Sequence, residues 1–288
     1  MSMKVLSLFD GCSCARLALS SLGVSCDYYA SEIDKYAQRV SDSNFADIHR
    51  LGDINNIDFK ALGKFDLVIG GSPCTDLSIS KRDRKGLAGD QSALFYKFLE
   101  AVETIKPTYF LLENVASMSK ANKEEISRLM GVTPVNINSS LLTAQLRNRL
   151  YWCNWEVSQP ADRGIELCNI LENGWTDRAK SLCLDASYFK GASARHYLSK
   201  SVRQLVFNNW PADYGDAELR YSKGARLTPD IQYRPDGSRL LTSVECERLQ
   251  GIPDNFTAGV SNTQRYKMIG NGFTVPVISH ILKEIVAA

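Results

Sequence analysis

Residues 65–74 read Phe-Asp-Leu-Val-Ile-Gly-Gly-Ser-Pro-Cys, and this stretch decides the fold class. Its first five residues form a mostly apolar run, which is typical of a strand buried on both faces of a parallel sheet. The glycine pair and Pro73 then end the strand in a turn. Similar runs, each followed by a turn or a polar residue, occupy residues 4–9, 28–32 and 109–112. The pattern predicts several short parallel strands.

Segments with helical spacing separate these predicted strands, over residues 15–23, 35–44 and 93–105. Strands that alternate with helices over about the first 155 residues indicate a doubly wound α/β sheet covered on both faces. From about residue 157 to 238 the periodicity is weak and turn residues are scattered, which indicates a smaller, loop-rich lobe. Regular structure then returns. Thr242 and Glu245 have a capping-box spacing, and residues 278–286 form a predicted final helix.

The composition is that of an ordinary globular protein of 288 residues, 44% hydrophobic and with a net charge of +2. This charge neither indicates nor excludes nucleic acid as a partner. No apolar run approaches the roughly 20 residues of a membrane span, and the first residues lack the apolar length of a signal peptide. We therefore expect a cytoplasmic protein. The eight cysteines include no C-x₂-C pair, so no metal site is expected.

Residues at the ends of the first two predicted strands and after the turn glycine Gly52 suit an adenosine-containing cofactor. The segment Phe9-Asp10-Gly11-Cys12-Ser13 forms a glycine turn before a helix, where backbone N–H groups can approach a ligand closely. Glu32 can accept hydrogen bonds from ribose hydroxyls. Asp53 can accept one from an adenine amino group, with Ile54 covering the ring. Each feature alone is weak, because such turns and surface acids are common, but their order along the strands favours a cofactor site.

Cys74 and Glu113 are the candidates for chemistry. Cys74 follows Pro73 directly after a buried strand, with the basic run 81–85 beyond it, and nearby positive charge favours a thiolate. The alternative is a buried structural cysteine, but the Gly-Gly-Ser-Pro lead-in is typical of an active-site turn. Glu113 ends another buried strand, where partial desolvation favours a protonated carboxyl group. A thiol beside such a group suits conjugate addition to an electron-poor ring.

The chain resembles the cytosine-5 methyltransferases, whose motifs occur in the family's order over nearly the whole chain outside residues 157–238. The matching segments are Phe9-x-Gly11, Ser72-Pro73-Cys74, Glu113-Asn114-Val115, Gln145-x-Arg147-x-Arg149, Arg239 to Gly251, and Gly270 to Val277. The chain departs from the family at residues 13–15, Ser-Cys-Ala, where the first motif often has two adjacent glycines. This departure bears on the affinity for the cofactor.

The resemblance implies a class I methyltransferase fold, which is a Rossmann-like mixed, mostly parallel sheet with a smaller target-recognition lobe. It divides the chain into a catalytic and cofactor-binding domain (1–156), the lobe (157–254) and a C-terminal return to the catalytic domain (255–288). The implied reaction transfers a methyl group from S-adenosyl-L-methionine to C5 of a cytosine flipped out of duplex DNA. Cys74 would add to C6 while Glu113 binds or protonates N3, and C5 would then attack the methyl group of the donor. Loss of the C5 proton would finally expel the thiol.

The resemblance also implies the site residues. The catalytic residues would be Cys74, Glu113, Arg147 and Arg149. The cofactor would be bound by Phe9, Asp10, Gly11, Cys12, Ser13, Glu32, Ile33, Asp53, Ile54, Asn271, Gly272 and Phe273. The DNA would be contacted by Ser78, Lys81, Arg82, Arg84, Lys85, Gln145, Arg220, Lys223, Arg226 and Arg239.

Three alternatives stay open. A tRNA methyltransferase of the same family usually has Pro-Pro-Cys, whereas this chain has Ser-Pro-Cys, which favours DNA mildly. A catalytically silent DNA-binding homologue would lack the nucleophile or the acid, and this chain retains both. A nicotinamide dehydrogenase would carry a full G-x-G-x-x-G, which is absent. The expected partner is double-stranded DNA. A cognate restriction endonuclease is left open, and a monomer is expected.

Overall fold

The computed structural model describes residues 2–73, 93–200, 203–208, 220–221 and 234–286. Two compact units are present. The first comprises residues 1–137, 148–159 and 277–288, and the second comprises residues 138–147 and 160–276. In the part of the chain that the structure describes, no helix is long and apolar enough to cross a membrane.

The first unit is built around a seven-stranded sheet. In chain order the elements are β1 (Met3–Leu8), α1 (Cys14–Ser21), β2 (Cys26–Ser31), α2 (Lys35–Asn44), β3 (His49–Gly52), β4 (Leu67–Gly71), α3 (Ala93–Ile105), β5 (Tyr109–Val115), α4 (Lys120–Met130), β6 (Val135–Asn138) and β7 (Asn148–Cys153). The strand order is β3-β2-β1-β4-β5-β7-β6. Strands β1 to β5 pair in parallel, and β7 is antiparallel to β5. The mostly parallel, doubly wound sheet that the sequence predicts is confirmed.

The strand order reverses between β1 and β4, because β1 pairs with β2 on one side and with β4 on the other. Ligands of doubly wound sheets bind at such a switch point, beyond the carboxyl ends of the strands. Leu8 is opposite both Ser31 and Gly70 in register. A Cβ atom at Gly70 would lie only 2.8 Å from the Leu8 carbonyl oxygen, so the close approach of the two strands requires glycine there.

The first unit is held together by a core of aliphatic and aromatic side chains. Phe95 and Phe98 on α3 and Trp152 on β7 are fully buried in it. Leu6 and Leu8 of β1 and Val68 of β4 belong to the same core. Helix α2 is capped at its N-terminus by Asp34, whose carboxylate accepts hydrogen bonds from the backbone N–H groups of Tyr36 and Ala37. This packing fixes the directions in which the strand ends point.

The second unit contains shorter elements. They are β8 (Trp175–Thr176), α5 (Ala194–Lys200), β9 (Leu205–Phe207), β10 (Arg220–Tyr221), β11 (Ser238–Leu240), α6 (Ser243–Leu249) and α7 (Asn262–Asn271). The strands form an antiparallel sheet in the order β10-β8-β9-β11. The predicted capping box is present, since the Thr242 hydroxyl accepts from Glu245 N and the Glu245 carboxylate accepts from Thr242 N. The final helix, α8 (Val275–Val286), lies mostly in the first unit.

Residues 255–276 lie in the second unit, whereas the sequence-based division placed them in the C-terminal return. The buried carboxylate of Glu247 on α6 accepts from Asn255 N, Thr257 N and Arg265. Gln250 donates to the carbonyl oxygens of Ile269 and Gly272. These contacts tie α7 to α6, so the chain returns to the first unit only at Val277.

Candidate active site

The turn after β1 contains three residues with left-handed backbone conformations, namely Phe9 (φ 59°), Gly11 (φ 59°) and Ser13 (φ 64°). Only glycine adopts this conformation without strain, so Phe9 and Ser13 need support from their surroundings. At Gly11 an added Cβ would meet no atom within 4 Å, so the space beside the turn is open. The open space therefore borders the Cα atom of Gly11 at the carboxyl end of β1, whereas the N–H groups of Asp10, Gly11 and Ser13 donate to acceptors within the protein.

Glu32 closes this turn from the end of β2. One carboxylate oxygen accepts from Gly11 N at 2.8 Å, and the other accepts from Ile33 N at 2.8 Å and Asp34 N at 2.7 Å. A carboxylate offers about four acceptor positions, so these described contacts leave room for about one more donor, such as one ribose hydroxyl. The side chain of Ile33 is 73% exposed, which makes it an apolar surface at the same strand end.

A buried polar network supports the turn from behind. The Asp10 carboxylate accepts from the Tyr28 hydroxyl at 2.7 Å and from the Ser13 hydroxyl at 2.5 Å. Ser13 also contacts the hydroxyl of Ser41 on α2, and that hydroxyl accepts from Arg50 on β3 at 2.5 Å. Burial raises the pKa of the Asp10 carboxyl group and of the Tyr28 hydroxyl. The network thus links the β1 turn to β2, α2 and β3.

The side chains of Asp10 and Cys12, which were expected to contact the cofactor, are buried within the protein. The Asp10 side chain faces the buried network, and the Cys12 thiol is fully buried with its sulfur 3.7 Å from that of Cys14. The hydrogen bond with the Cys14 thiol, together with burial, raises the pKa of Cys12 well above its usual range. A cofactor contact from these two residues would have to use the backbone.

Asp53 follows β3 and begins a short 3₁₀ turn, where its carboxylate accepts from the backbone and side-chain nitrogens of Asn55. Ile54 is 4% exposed and packs in the core of the first unit with Leu6 and Leu8. Its expected role as a cover for an adenine ring is therefore limited, and Ile33 is the more exposed apolar side chain among the predicted cofactor residues.

The turn after β4 is bound to the end of β5. The buried side chain of Asn114 donates to the carbonyl oxygen of Ser72 at 3.2 Å and contacts its hydroxyl at 3.1 Å. Glu113 stands opposite Gly71 in the sheet. Cys74 is the second residue after Ser72 and lies outside the described residues. Asn114 therefore fixes the backbone that leads to the candidate nucleophile.

Glu113 and Arg149 form the polar pair at this strand end. Arg149 Nε lies 2.9 Å from Glu113 Oε1, and the two side chains are only 14% and 13% exposed. Strand β7 makes the pairing possible, since Arg149 stands opposite Val115 on β5, two residues beyond Glu113. The ion pair with the guanidinium group orients the carboxylate. The structure thus pairs two residues to which the resemblance assigns catalytic roles.

Three side chains that were expected to contact the substrate are instead buried in the second unit, namely those of Gln145, Arg147 and Arg239. The guanidinium of Arg147 donates to the carbonyl oxygens of Leu184, Gly270 and Gly272. Gln145 is fully buried, and its side chain pairs with Gln250 and with Leu184 N. Arg239 is 4% exposed and forms an ion pair with the fully buried Glu245 at 2.7 Å. These bonds correct the expected contacts of the three side chains, so we do not carry them forward as substrate contacts.

The remaining predicted residues are placed as follows. Ser78, Lys81, Arg82, Arg84, Lys85, Lys223 and Arg226 lie outside the described residues, and of Arg220 only the backbone, in β10, is described. Asn271, Gly272 and Phe273 lie at the end of α7 in the second unit, with Asn271 exposed and Phe273 9% exposed. Their predicted roles stay predictions.

Tyr28, Ser41 and Arg50 were not predicted as site residues. Tyr28 carried a usable signal, because a tyrosine inside a buried strand needs a partner for its hydroxyl. Ser41 and Arg50 carried none, since a helix serine and an arginine near a strand are ordinary surface residues in most sequences.

Comparison with known proteins gives a consistent picture. The family model described as C-5 cytosine-specific DNA methylase matches residues 3–166 and 171–287. The type II methyltransferase M.NlaX of Neisseria lactamica is 29% identical over 307 residues, covering 99% of this chain and 96% of that protein. M.NgoBI of Neisseria gonorrhoeae is 28% identical over 296 residues, covering 96% of this chain and 90% of that protein.

Solved structures share the architecture. The Entamoeba histolytica methyltransferase EhMeth superposes with a TM-score of 0.73 at 14% identity, over 99% of both chains. The S. pombe Dnmt2 methyltransferase superposes with a TM-score of 0.69 at 16% identity, over 99% of this chain and 98% of that chain. At such identities the likeness shows the fold.

Proposed function

The chain belongs to the family of C-5 cytosine-specific DNA methylases, and on this premise we propose that it methylates C5 of cytosine in DNA with S-adenosyl-L-methionine as the methyl donor. The observation that carries the proposal is the Glu113–Arg149 pair at 2.9 Å beside the Ser72–Pro73 turn, which Asn114 holds in place. This turn leads directly to Cys74 in the sequence.

Cys74 is proposed as the nucleophile. Its thiolate adds to C6 of the target cytosine, and this addition makes C5 electron-rich. A base within a stacked duplex does not expose C6, so the cytosine must leave the helix, at a cost of a few kcal/mol. The bonds from Asn114 to Ser72 support this role, because a nucleophile must be held close to its target atom.

Glu113 is proposed to act on N3 of the same ring. A hydrogen bond or proton from its carboxyl group would take up the negative charge that the thiolate adds. Arg149 holds one carboxylate oxygen, which restricts the directions in which the other can point. Because both side chains are mostly withdrawn from solvent, their interactions with the ring are less weakened by water.

The strand ends on the other side of the switch point fit an adenosine group. Glu32 has room for about one more donor, Ile33 offers an exposed apolar face, and the backbone at Gly11 borders open space. We propose that these residues, with Asp53, hold the nucleoside part of the donor. When bound, S-adenosyl-L-methionine would supply an electrophilic methyl group on a sulfonium centre.

The test uses Cys74→Ala and a labelled methyl donor. The unaltered protein is expected to label duplex DNA in preference to tRNA, and Cys74→Ala is expected to label neither. The variant should still bind S-adenosylhomocysteine in a calorimetric titration, which would show that the fold is intact. Turnover by Cys74→Ala would contradict the nucleophile assignment, and labelling of tRNA alone would contradict DNA as the substrate.

A further inference from the structure

The second unit contains a stretch of chain with positive charge only. Residues 186–212 include Lys190, Arg195, Lys200 and Arg203 but no aspartate or glutamate. The net charge of the whole protein is only +2, so this stretch concentrates positive charge locally. A surface on which several such charges are exposed attracts polyanions.

The packing of α5 fixes where these charges point. Ala194 and Tyr197 are buried against Leu205 and Phe207 of β9. Leu198 packs partly against the same cluster. Arg195, His196 and Lys200 lie on the other side of the helix and are exposed. His196 and Lys200 are four residues apart, so they lie on one side of the helix. Lys190 is exposed at the end of the preceding 3₁₀ turn.

The cations on this face differ in their bonding from three arginines of the second unit. Arg265 pairs with Glu247 and Arg248 with Asp254, while Arg203 donates to the carbonyl oxygen of Gly191. The side chains of Lys190, Arg195 and Lys200 form no hydrogen bond or ion pair with any residue in the described ranges. Their charges are thus not neutralised by the described part of the chain.

Two further features accompany the charges. The ring of Phe189 is 39% exposed directly beside Lys190. A groove of about 490 Å³ is lined by Lys190 and Arg234 together with Asp236, whose carboxylate accepts hydrogen bonds from Ser238 and from Ala194 N. The carboxylate of the groove is therefore engaged within the protein.

We propose that Phe189, Lys190, Arg195, His196 and Lys200 form a surface, here called the α5 surface, that binds the phosphate backbone of duplex DNA. The inference rests on the proposed function, for which DNA is the substrate. Contacts to phosphates position a duplex and carry no sequence information directly, so the α5 surface orients the DNA without selecting the target site. In the same unit the side chains of Gln145 and Arg239 bind other residues of the protein, so the α5 surface provides DNA contacts that these two side chains do not.

The salt dependence of DNA binding tests this surface. Each lost phosphate contact reduces the slope of log affinity against log salt by about 0.9, so the triple variant K190A/R195A/K200A is expected to lose about 2.7 from the slope. Fluorescence polarisation of labelled duplex DNA over a salt series, with S-adenosylhomocysteine present, measures the slope. The affinity for S-adenosylhomocysteine itself is expected to stay unchanged.

A matched control removes the same charge elsewhere. Lys60, Lys64 and Lys106 are exposed and precede β4 or β5, at the edge of the sheet opposite the strand ends that carry the proposed site. K60A/K64A/K106A should keep the slope of the unaltered protein, and so should the charge-preserving variant K190R/R195K/K200R. Equal losses in both alanine triple variants would overturn the proposal, because net charge alone would then explain the effect.

The outcomes separate this inference from the proposed function. An α5 variant with an unchanged slope, in a protein that methylates DNA, would overturn the α5 surface alone. Failure of the unaltered protein to methylate duplex DNA would overturn the proposed function instead.

Discussion

Replacing Tyr28 with phenylalanine tests whether the buried network holds the β1 turn. The Tyr28 hydroxyl donates to Asp10 Oδ1 at 2.7 Å, and both side chains are buried. A hydrogen bond to a charged group contributes about 1.5–3 kcal/mol, so Tyr28→Phe is expected to lower the free energy of unfolding by about 2 kcal/mol. For a chain of this size each kcal/mol corresponds to about 2–4 °C in Tm, which predicts a decrease of about 4–8 °C.

The same substitution should weaken cofactor binding. Asp10 also accepts from Ser13, which is held in a left-handed conformation that costs a non-glycine residue roughly 1–2 kcal/mol. Losing one of the donors to Asp10 loosens the support of this turn. If the whole of about 2 kcal/mol appeared in binding, the affinity for S-adenosylhomocysteine would fall about thirtyfold, which is the upper bound. Calorimetric titration measures the affinity, and DNA binding without cofactor should not change.

Tyr29→Phe is the matched control, because this neighbouring ring instead stacks on His49 and contacts Phe65. It should bind S-adenosylhomocysteine as the unaltered protein does. Ser13→Gly and Ser13→Ala form a second comparison, since both lose the hydroxyl but only glycine adopts the left-handed conformation freely. Ser13→Ala should therefore bind more weakly than Ser13→Gly. A Tyr28→Phe protein with unaltered Tm and unaltered cofactor affinity would refute the reasoning.

Three other predictions concern single residues. Glu32→Ala removes the acceptor for three backbone N–H groups, and a loss of about 1.5 kcal/mol or more should weaken S-adenosylhomocysteine binding at least about tenfold in calorimetry, with cofactor-free DNA binding as the unaffected control. Burial raises the pKa of Asp10 above 3.8, so the folded state binds the proton more tightly and stability should fall as pH rises from 3.8 through the raised pKa. Asp10→Asn should lack this fall in denaturant titrations at a series of pH values, and an identical pH profile would contradict the assignment. Arg147→Lys cannot donate in the same fork to Leu184, Gly270 and Gly272, so denaturant unfolding should report a loss of about 3 kcal/mol. Unchanged stability of Arg147→Lys would show that these carbonyl contacts are weak.

Strong local patterns predicted the fold well where the chain is regular. The helices at 35–44 and 93–105 have the bounds that apolar spacing predicts, and Asp34 caps the first of them. The helix at 120–130 was not predicted. Its sequence is mostly polar, with Ile126 and Met130 as its buried residues, so its periodic signal is weak. Pairing with β5 creates β7, and such a long-range partner cannot be read from the local sequence.

The candidate site residues were chosen from the geometry of parallel sheets. Residues that follow β1, β2 and β4 must gather at one edge of the sheet, so Gly11 and Glu32 could be expected together, and their hydrogen bond at 2.8 Å agrees with that expectation. The sequence pattern did not predict the direction in which each side chain points. Asp10 turns inward because Tyr28 and Ser13 offer donors there, and those donors come from separate elements.

Arg147 and Arg149 show why a motif does not assign roles to its members. They are two residues apart, and the sequence offers both as substrate contacts. Strand β7 begins at Asn148, so Arg149 takes its position from the pairing with β5 and reaches Glu113. Arg147 precedes the strand, and the carbonyl oxygens of Leu184 and Gly270 come within reach of its guanidinium. A buried guanidinium group needs hydrogen-bond acceptors, and here backbone carbonyl oxygens of the second unit provide them. Arg149 lies in strand β7 and reaches the candidate site, whereas Arg147 lies in the loop before the strand and stabilises the second unit. The start of the strand therefore decides which of the two arginines can contact a substrate.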